Sequence, residues 1–313
     1  MRLLALSHYD GDTDTRFGDC ILLISAKSLV IYDCGHSKHA EYVETLLKTL
    51  SDISDVHIVV SHNDSDHTNG ICDLLKWLKC EGKYRVTVYT HQYLRHLDTI
   101  LPKIKDGKGR ERVKESLLAE FDNIKAIIKE AQYQDFETVE ALIGTQLGDC
   151  VIVGPTVDEF TDVAAKAVDS RQSNNIGEGH AEETVMNAAS VQLRCPLDNR
   201  KSILLCGDAS PDFLKDLADY SIIQLPHHGQ KDDAIAIFNK LGGQAYQKEF
   251  LISDNTGSAL TSGGSDELVQ YMKDEHYAAA FNTKRSYVEI PSLITASQKT
   301  SQGRRYLGDL DSF

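Results

Sequence analysis

A chain of 313 residues has room for one large domain or two modest ones, and 41% hydrophobic with 26% charged residues is an ordinary globular composition. A formal net charge of -14 argues against a protein built to coat duplex DNA, since that affinity comes from neutralising phosphates. No apolar stretch approaches the roughly 20 residues that span a bilayer, and the run starting at Met1 is too short for a signal peptide; the expectations are no membrane, a cytoplasmic location and reduced cysteines.

In chain order, the segment from Met1 reads as a first strand. Ile21 to Ile24 and Leu29 to Tyr32 are short apolar runs separated by Ala26-Lys27-Ser28, a hairpin pattern. Residues 39–50 place Tyr42, Val43, Leu46, Leu47 and Leu50 at helical spacing, ahead of the apolar strand Val56 to Val60. Ile71 to Lys79 reads as helix and Tyr84 to Tyr89 as strand. Residues 92–145 are charged, lack strand signals and carry helical apolar spacing at Leu117, Leu118, Phe121, Ile124, Ile127 and Ile128, so they are expected to form a helical insertion. A strand follows from Cys150, then a polar stretch, Asp169 to Glu183, that reads as a loop. Further strands are expected at Ser190–Cys195, Ser202–Cys206, Ile222–Leu225 and Phe250–Ser253, with Ala278–Asn282 and Ser286–Ile290 as a last pair. A polar tail, 291–313, would close the chain after one domain spanning 1–290.

The chemistry concentrates in Ser61-His62-Asn63-Asp64-Ser65-Asp66-His67-Thr68-Asn69-Gly70, which leaves an apolar strand and packs two imidazoles and two carboxylates into six residues. Leu205-Cys206-Gly207-Asp208 and Pro226-His227-His228-Gly229 repeat the theme, each after an apolar run. So many ionisable groups gathered in one pocket would be costly without a cation, because like charges repel and burial penalises ions. Two divalent cations about 3.5–4 Å apart would neutralise them and could activate a water for in-line attack at phosphorus. An aspartate at 64 makes the ligand set hard, which favours Mn2+ or Mg2+ over Zn2+. His8, His36, His39, His57, His91, His96 and His276 are read as structural or surface residues, and the basic run 103–114 as a solvated helix face.

The segment His62 to His67 resembles the HxHxDH motif of the metallo-β-lactamase fold, with Asp64 in the second histidine's place. With Gly70, the Gly207-Asp208 pair and His228-Gly229, the pattern is similar to the hydrolase domain of ComEC-type DNA-uptake proteins. Gly18 to Leu23, Ile31 to Gly35, Asn187 to Ser190, Phe250 to Gly257 and Asn282 to Lys284 resemble further segments of that domain. The resemblance implies an α/β, four-layer αββα sandwich with a helical insertion. It implies two divalent metals (Mn2+ or Zn2+, or Mg2+), one held by His62 and Asp64, the other by Asp66, His67 and His228, with Asp208 bridging. Asp66 and Asp208 would be the catalytic carboxylates, and Asp33 would orient a ligand imidazole. His180, Asn187, His227 and Lys231 are further candidates for metal or substrate contact.

The function expected on these grounds is metal-dependent hydrolysis of a phosphodiester, as in a nuclease, on nucleic acid or a nucleotide. The alternatives are hydrolysis of a small lactone or thioester, which the same fold supports, and a non-catalytic metal-binding subunit working with a protein partner.

Overall fold

The computed structural model describes residues 1–7, 18–105, 109–173, 186–198, 200–256 and 265–291. In chain order the elements are β1 (Arg2–Ala5), β2 (Ile21–Ile24), β3 (Ser28–Tyr32), α1 (Ser37–Thr49), β4 (Asp55–Val59), α2 (Ser65–Thr68), α3 (Ile71–Glu81) and β5 (Arg85–Thr90). They continue with α4 (Leu97–Ile100), α5 (Arg110–Glu120), α6 (Asp122–Tyr133), β6 (Glu137–Glu140), β7 (Gln146–Leu147), β8 (Cys150–Gly154) and α7 (Val157–Ser173). The last are β9 (Gln192–Pro196), β10 (Ser202–Leu205), β11 (Ile222–Gln224), α8 (Lys231–Leu241), β12 (Glu249–Ile252), α9 (Asp266–Asp274), β13 (Phe281–Asn282) and β14 (Val288–Ile290).

The strands form two mixed seven-stranded sheets, ordered β14-β1-β2-β3-β4-β5-β6 and β13-β12-β11-β10-β9-β8-β7. One apolar core, with Tyr32, Val59, Leu193 and Leu205, lies between the sheets. A second packs the other face of the first sheet under α1, α3, α5, α6 and α7, and a third packs the second sheet under α8 and α9. Strands buried on both faces explain why runs such as Ile21 to Ile24 and Ser28 to Tyr32 show no alternation: every residue in them is buried. The result is the expected α/β, four-layer αββα sandwich.

Three local expectations change. The span 92–145 is helical only as far as Tyr133; Glu137–Glu140 pairs in parallel with β5 as an edge strand of the first sheet. Its charged ends hid it, because an edge strand faces water and needs little apolar sequence. The polar stretch from Asp169 begins inside α7, which reaches Ser173, and the remainder of 169–183 lies outside the described residues. The two last strands do not pair with each other: β13 joins β12 in one sheet and β14 joins β1 in the other. The tail 292–313 is outside the described residues. No helix among the described residues is long and apolar enough to cross a membrane.

Tyr32 ties the sheets together at the site edge, its buried hydroxyl donating to the Val191 carbonyl at 2.6 Å, while the Val191 amide donates to the Ser61 carbonyl at 2.9 Å. Replacing Tyr32 by Phe leaves that carbonyl without its partner. The expected cost is about 1–3 kcal/mol in chemical denaturation, with secondary structure by circular dichroism unchanged.

Candidate metal centre

The chemistry-bearing residues collect on one edge of the sandwich, and topology is the reason. β3, β4 and β5 run parallel, as do β10, β11, β12 and β13, so the loops leaving them open on the same side. Asp33, the segment from Ser61 to His67, Asp208, His228 and Asn255 follow these strands. Asp19 precedes β2 and Ser190 precedes β9, both antiparallel to their neighbours, so these two residues arrive at the same edge from the opposite direction.

The short helix α2 sits in a tight cradle. The Asp19 amide donates to the Asp66 carbonyl at 2.8 Å and the Cys34 amide to the His67 carbonyl at 3.0 Å. A Cβ built on Gly18 or Gly35 would lie 1.8 Å from the Asp66 carbonyl oxygen, and Gly18 has φ +70°, so both positions are closed to larger residues.

Three imidazoles meet here, each held through Nδ1 so that Nε2 faces inward. His67 Nδ1 donates to Asp33 Oδ2 at 2.8 Å, and Asp33 also accepts the Ser61 amide (2.7 Å) and hydroxyl (2.6 Å). His228 Nδ1 lies 3.1 Å from Asp19 Oδ1 and 3.0 Å from the Ser253 carbonyl. His62 Nδ1 lies 2.9 Å from Ser61 Oγ and 3.2 Å from Ser190 Oγ. Those hydroxyls donate elsewhere, to Asp33 and the Asn187 carbonyl, so they accept from His62. This fixes one tautomer and aims the lone pairs of all three rings at a common space.

The carboxylates face those Nε2 atoms. Asp208 Oδ2 is 3.7 Å from His62 Nε2 and 3.6 Å from His67 Nε2; Asp64 Oδ2 is 3.7 Å from His62 Nε2; Asp66 Oδ2 is 3.1 Å from His228 Nε2. Among the described residues, His62 Nε2, His67 Nε2 and Asp208 Oδ1 are buried with no hydrogen-bond partner, as is Asn255 Oδ1 beside Asp66. Orphaned polar atoms this deep are expensive. Ligand atoms sharing one cation at about 2.0–2.2 Å lie roughly 3–4 Å apart, the spacing seen around Asp208 Oδ2. The donor set therefore fits divalent cations, with His62, His67 and Asp208 forming one compact group. Asp19 also lies within reach of His67 and His228, but both its oxygens are taken: Oδ1 by His228, Oδ2 by the Ser253 hydroxyl (2.8 Å) and the Gln224 amide (3.2 Å). It acts on His228 as Asp33 acts on His67.

The electrostatics point the same way. Burial opposes charge on His67, but Asp208, Asp33 and Asp66 outweigh it and raise its pKa well above the usual histidine value. Burial is likewise overcome at His228 by Asp19, Asp208 and Asp66. Burial alone would raise Asp208, yet His67, His228 and His62 hold it well below the usual carboxylate range, and Asp64 and Asp66 are lowered for similar reasons. The pocket attracts positive charge, and protons take that place when no metal is bound.

The six expected ligands, His62, Asp64, Asp66, His67, Asp208 and His228, thus lie together, with Asp33 behind His67. Asn187 joins through Asp64, its Nδ2 donating to Asp64 Oδ2 at 2.7 Å. His227 Nδ1 lies 2.6 Å from Asp233, and Lys231 starts α8 with its ammonium over the Tyr271 ring. His180 lies outside the described residues. Asp19, Ser61, Ser190, Gln224 and Ser253 were not among the expected site residues. The Gly18-Asp19 pair beside an apolar strand mirrors Gly207-Asp208, Ser61 opens the His62 to His67 segment, and Ser190 and Ser253 lie in segments that carry the resemblance.

No protein-family model matches the chain, and no curated protein sequence does. Solved structures similar to it include the metallo-β-lactamase fold protein YhfI from Bacillus subtilis, with 10% identity, TM-score 0.48, and coverage of 90% of this chain and 95% of that one. Unliganded yeast PDE1 is similar with 10% identity, TM-score 0.48 and coverage of 89% and 95%. A long form RNase Z from yeast has 11% identity, TM-score 0.39 and coverage of 80% and 36%.

Because His67 and His228 hold protons that a metal must displace, loading with Mn2+ or Zn2+ at pH 7 should release protons into weakly buffered solution, and apparent metal affinity should rise with pH. In the metal-free protein the sign reverses. The raised His67 and His228 contribute stability below the unfolded histidine value of about 6.5 that is lost as pH rises through their folded values. A pH-indicator titration showing no proton release on metal addition would contradict this account.

Proposed function

We propose that the protein is a metal-dependent hydrolase of phosphodiesters. One observation carries the reading: three inward-facing imidazole nitrogens share a buried edge with the carboxylates of Asp64, Asp66 and Asp208. Such a donor set is oxygen-rich for a hydrolytic site and suits hard cations and anionic phosphoryl oxygens. The motif's resemblance to ComEC-type hydrolase domains supports the same choice over a lactone or thioester.

In this reading His62, Asp64, Asp66, His67, Asp208 and His228 hold the cations, which when bound neutralise the phosphoryl charge and lower the pKa of water. The chain's own residues do the positioning. Asp33 and Asp19 keep the His67 and His228 rings in one tautomer and at one angle, and Ser61 and Ser190 do this for His62. Asn187 donates to Asp64 Oδ2, the oxygen that faces His62, and so restrains that carboxylate. Asp66 is about a third exposed, whereas Asp208 and the His62 and His67 rings are almost wholly buried. With Asp64 exposed to a similar degree, the substrate in this reading approaches past these two carboxylates, over a floor made by Asp208 and the two histidines.

The test is hydrolysis of bis-p-nitrophenyl phosphate beside a lactone, with Mn2+, Mg2+ and Zn2+ in parallel. Phosphodiester cleavage should dominate, Asp208→Ala should abolish it, and Asp19→Asn should lower metal affinity or rate by about 10–100-fold. Lactonase activity without phosphodiester cleavage, or full activity in Asp208→Ala, would overturn the proposal.

A further inference from the structure

Gln224 closes β11, a strand paired on both sides by β10 and β12, and its side chain is fully buried. The two residues before it, Ile222 and Ile223, are apolar, and an apolar side chain at 224 would avoid the cost of burying an amide. The amide is there and every position on it is used. Oε1 accepts the Cys206 amide at 2.9 Å and the Gly207 amide at 3.3 Å. Nε2 donates to Asp19 Oδ2 at 3.2 Å and to the Ser253 hydroxyl at 3.1 Å. Two acceptor and two donor positions are the full capacity of a carboxamide, and two backbone N–H groups on one side settle which atom is the oxygen.

The two ends of this amide reach different parts of the metal centre. Its oxygen holds the turn that carries Asp208. That turn is already tight, because Gly207 has φ +51° and a Cβ there would lie 3.0 Å from the Ser61 side chain. Its nitrogen holds Asp19 and Ser253, and both of these meet His228 Nδ1, Asp19 through Oδ1 at 3.1 Å and Ser253 through its carbonyl at 3.0 Å. Asp208 belongs to the ligand group with His62 and His67, and His228 to the group with His67 and Asp19. Gln224 therefore spans the two groups from behind, and a saturated buried network of this kind resists displacement of any one member.

We infer that Gln224 is a positioning residue, which fixes the Asp208 turn and the His228 ring at the separation that divalent cations require. It touches no proposed ligand side chain itself. Its influence runs through the backbone at 206–207 on one side and through Asp19 and Ser253 on the other. The inference rests on the metal-binding part of the reading above and is independent of which ester is cleaved.

The test separates metal affinity from stability in the full chain. Mn2+ binding to the metal-free protein is measured by calorimetry, and urea unfolding of the metal-free protein gives its stability. Gln224→Met keeps the length of the side chain and loses all four hydrogen bonds; it should weaken Mn2+ binding by about 10–100-fold. Gln224→Asn, one methylene shorter, keeps an amide that cannot reach both ends, and should weaken it by about tenfold; it keeps the comparison open where Gln224→Met does not fold. Tyr84→Phe is the control. It removes a buried hydrogen bond to the Leu47 carbonyl, just before β5 and so at the opposite end of that strand from the site, and should lower stability while leaving Mn2+ affinity at the wild-type value.

Wild-type Mn2+ affinity in the Gln224 variants overturns the inference, even where their stability falls, since Gln224 then supports the fold alone. An equal loss of affinity in Tyr84→Phe overturns it too. A wild-type protein that binds no Mn2+ refutes the metal reading and this inference with it. Mn2+ binding that depends on Gln224, without cleavage of bis-p-nitrophenyl phosphate, supports the inference and counts against the phosphodiesterase reading alone.

Discussion

Buried negative charge is the constraint on which the rest of the structure turns. Asp19, Asp33 and Asp208 are almost fully buried within one cluster, with Asp64 and Asp66 at its mouth. Carboxylates this close repel one another and lose their hydration, so the folded chain must supply compensation. It does so with two kinds of partner. Asp19 and Asp33 are saturated by hydrogen bonds from hydroxyl, amide and imidazole donors and are internally satisfied. Asp208 has only ring nitrogens beyond hydrogen-bonding distance and an orphaned oxygen, so its compensation has to come from something that enters. That difference separates the groups that build the site from the groups that use it.

The sandwich makes such a cluster affordable by bringing it to one edge. Parallel strands from two sheets end side by side there, and the hydrogen bonds through Tyr32, Val191 and Ser61 stitch the sheets where the charge is greatest. The loops are short and held by backbone contacts that leave no space for a side chain at Gly18 or Gly35. Three residues in the left-handed region belong to the same edge: Asp33, His227 and His228, at φ 60°, 51° and 54°. Non-glycine residues adopt that conformation at some cost, and here it lets the chain turn sharply enough to point Asp33 at His67 and His228 at Asp66.

The legibility of this architecture followed its physics. Strands buried on both faces are continuous apolar runs, so the central strands of both sheets were readable, as were the helices α1 and α3 with their wide apolar stripes. Edge strands were not: Glu137–Glu140 is only partly buried and carries charge at both ends. Helix α7 escaped notice because its polar C-terminal turn reads as loop, although Phe160, Val163, Ala164 and Val168 are buried. At the site, the six expected ligands stand in compact motifs that declare themselves, and they do converge. Of the residues that orient them, Asp33 was expected in that role and stands behind His67, whereas Asp19 and Ser190 were not expected. Asp19 is 209 positions from the ring it holds, and Ser190 is 128 from His62. A contact of that range depends on the packing of two sheets and leaves no trace in local spacing.

Asn63 shows how the insertion can belong to the site without supplying a ligand. It occupies the one position between His62 and Asp64, and its side chain and carbonyl are spent on the first turn of α6. The metal loop therefore cannot move independently of the insertion. On the phosphodiesterase reading proposed above, the site has to attract an anionic substrate that the net charge of -14 opposes. The imidazoles of His62, His67 and His228 face the repelling carboxylates, and bound cations would cancel the charge that remains. On that reading, attraction over so small an area would suit a short or single-stranded ligand, whereas a long duplex would lay its phosphates along the acidic surface as well.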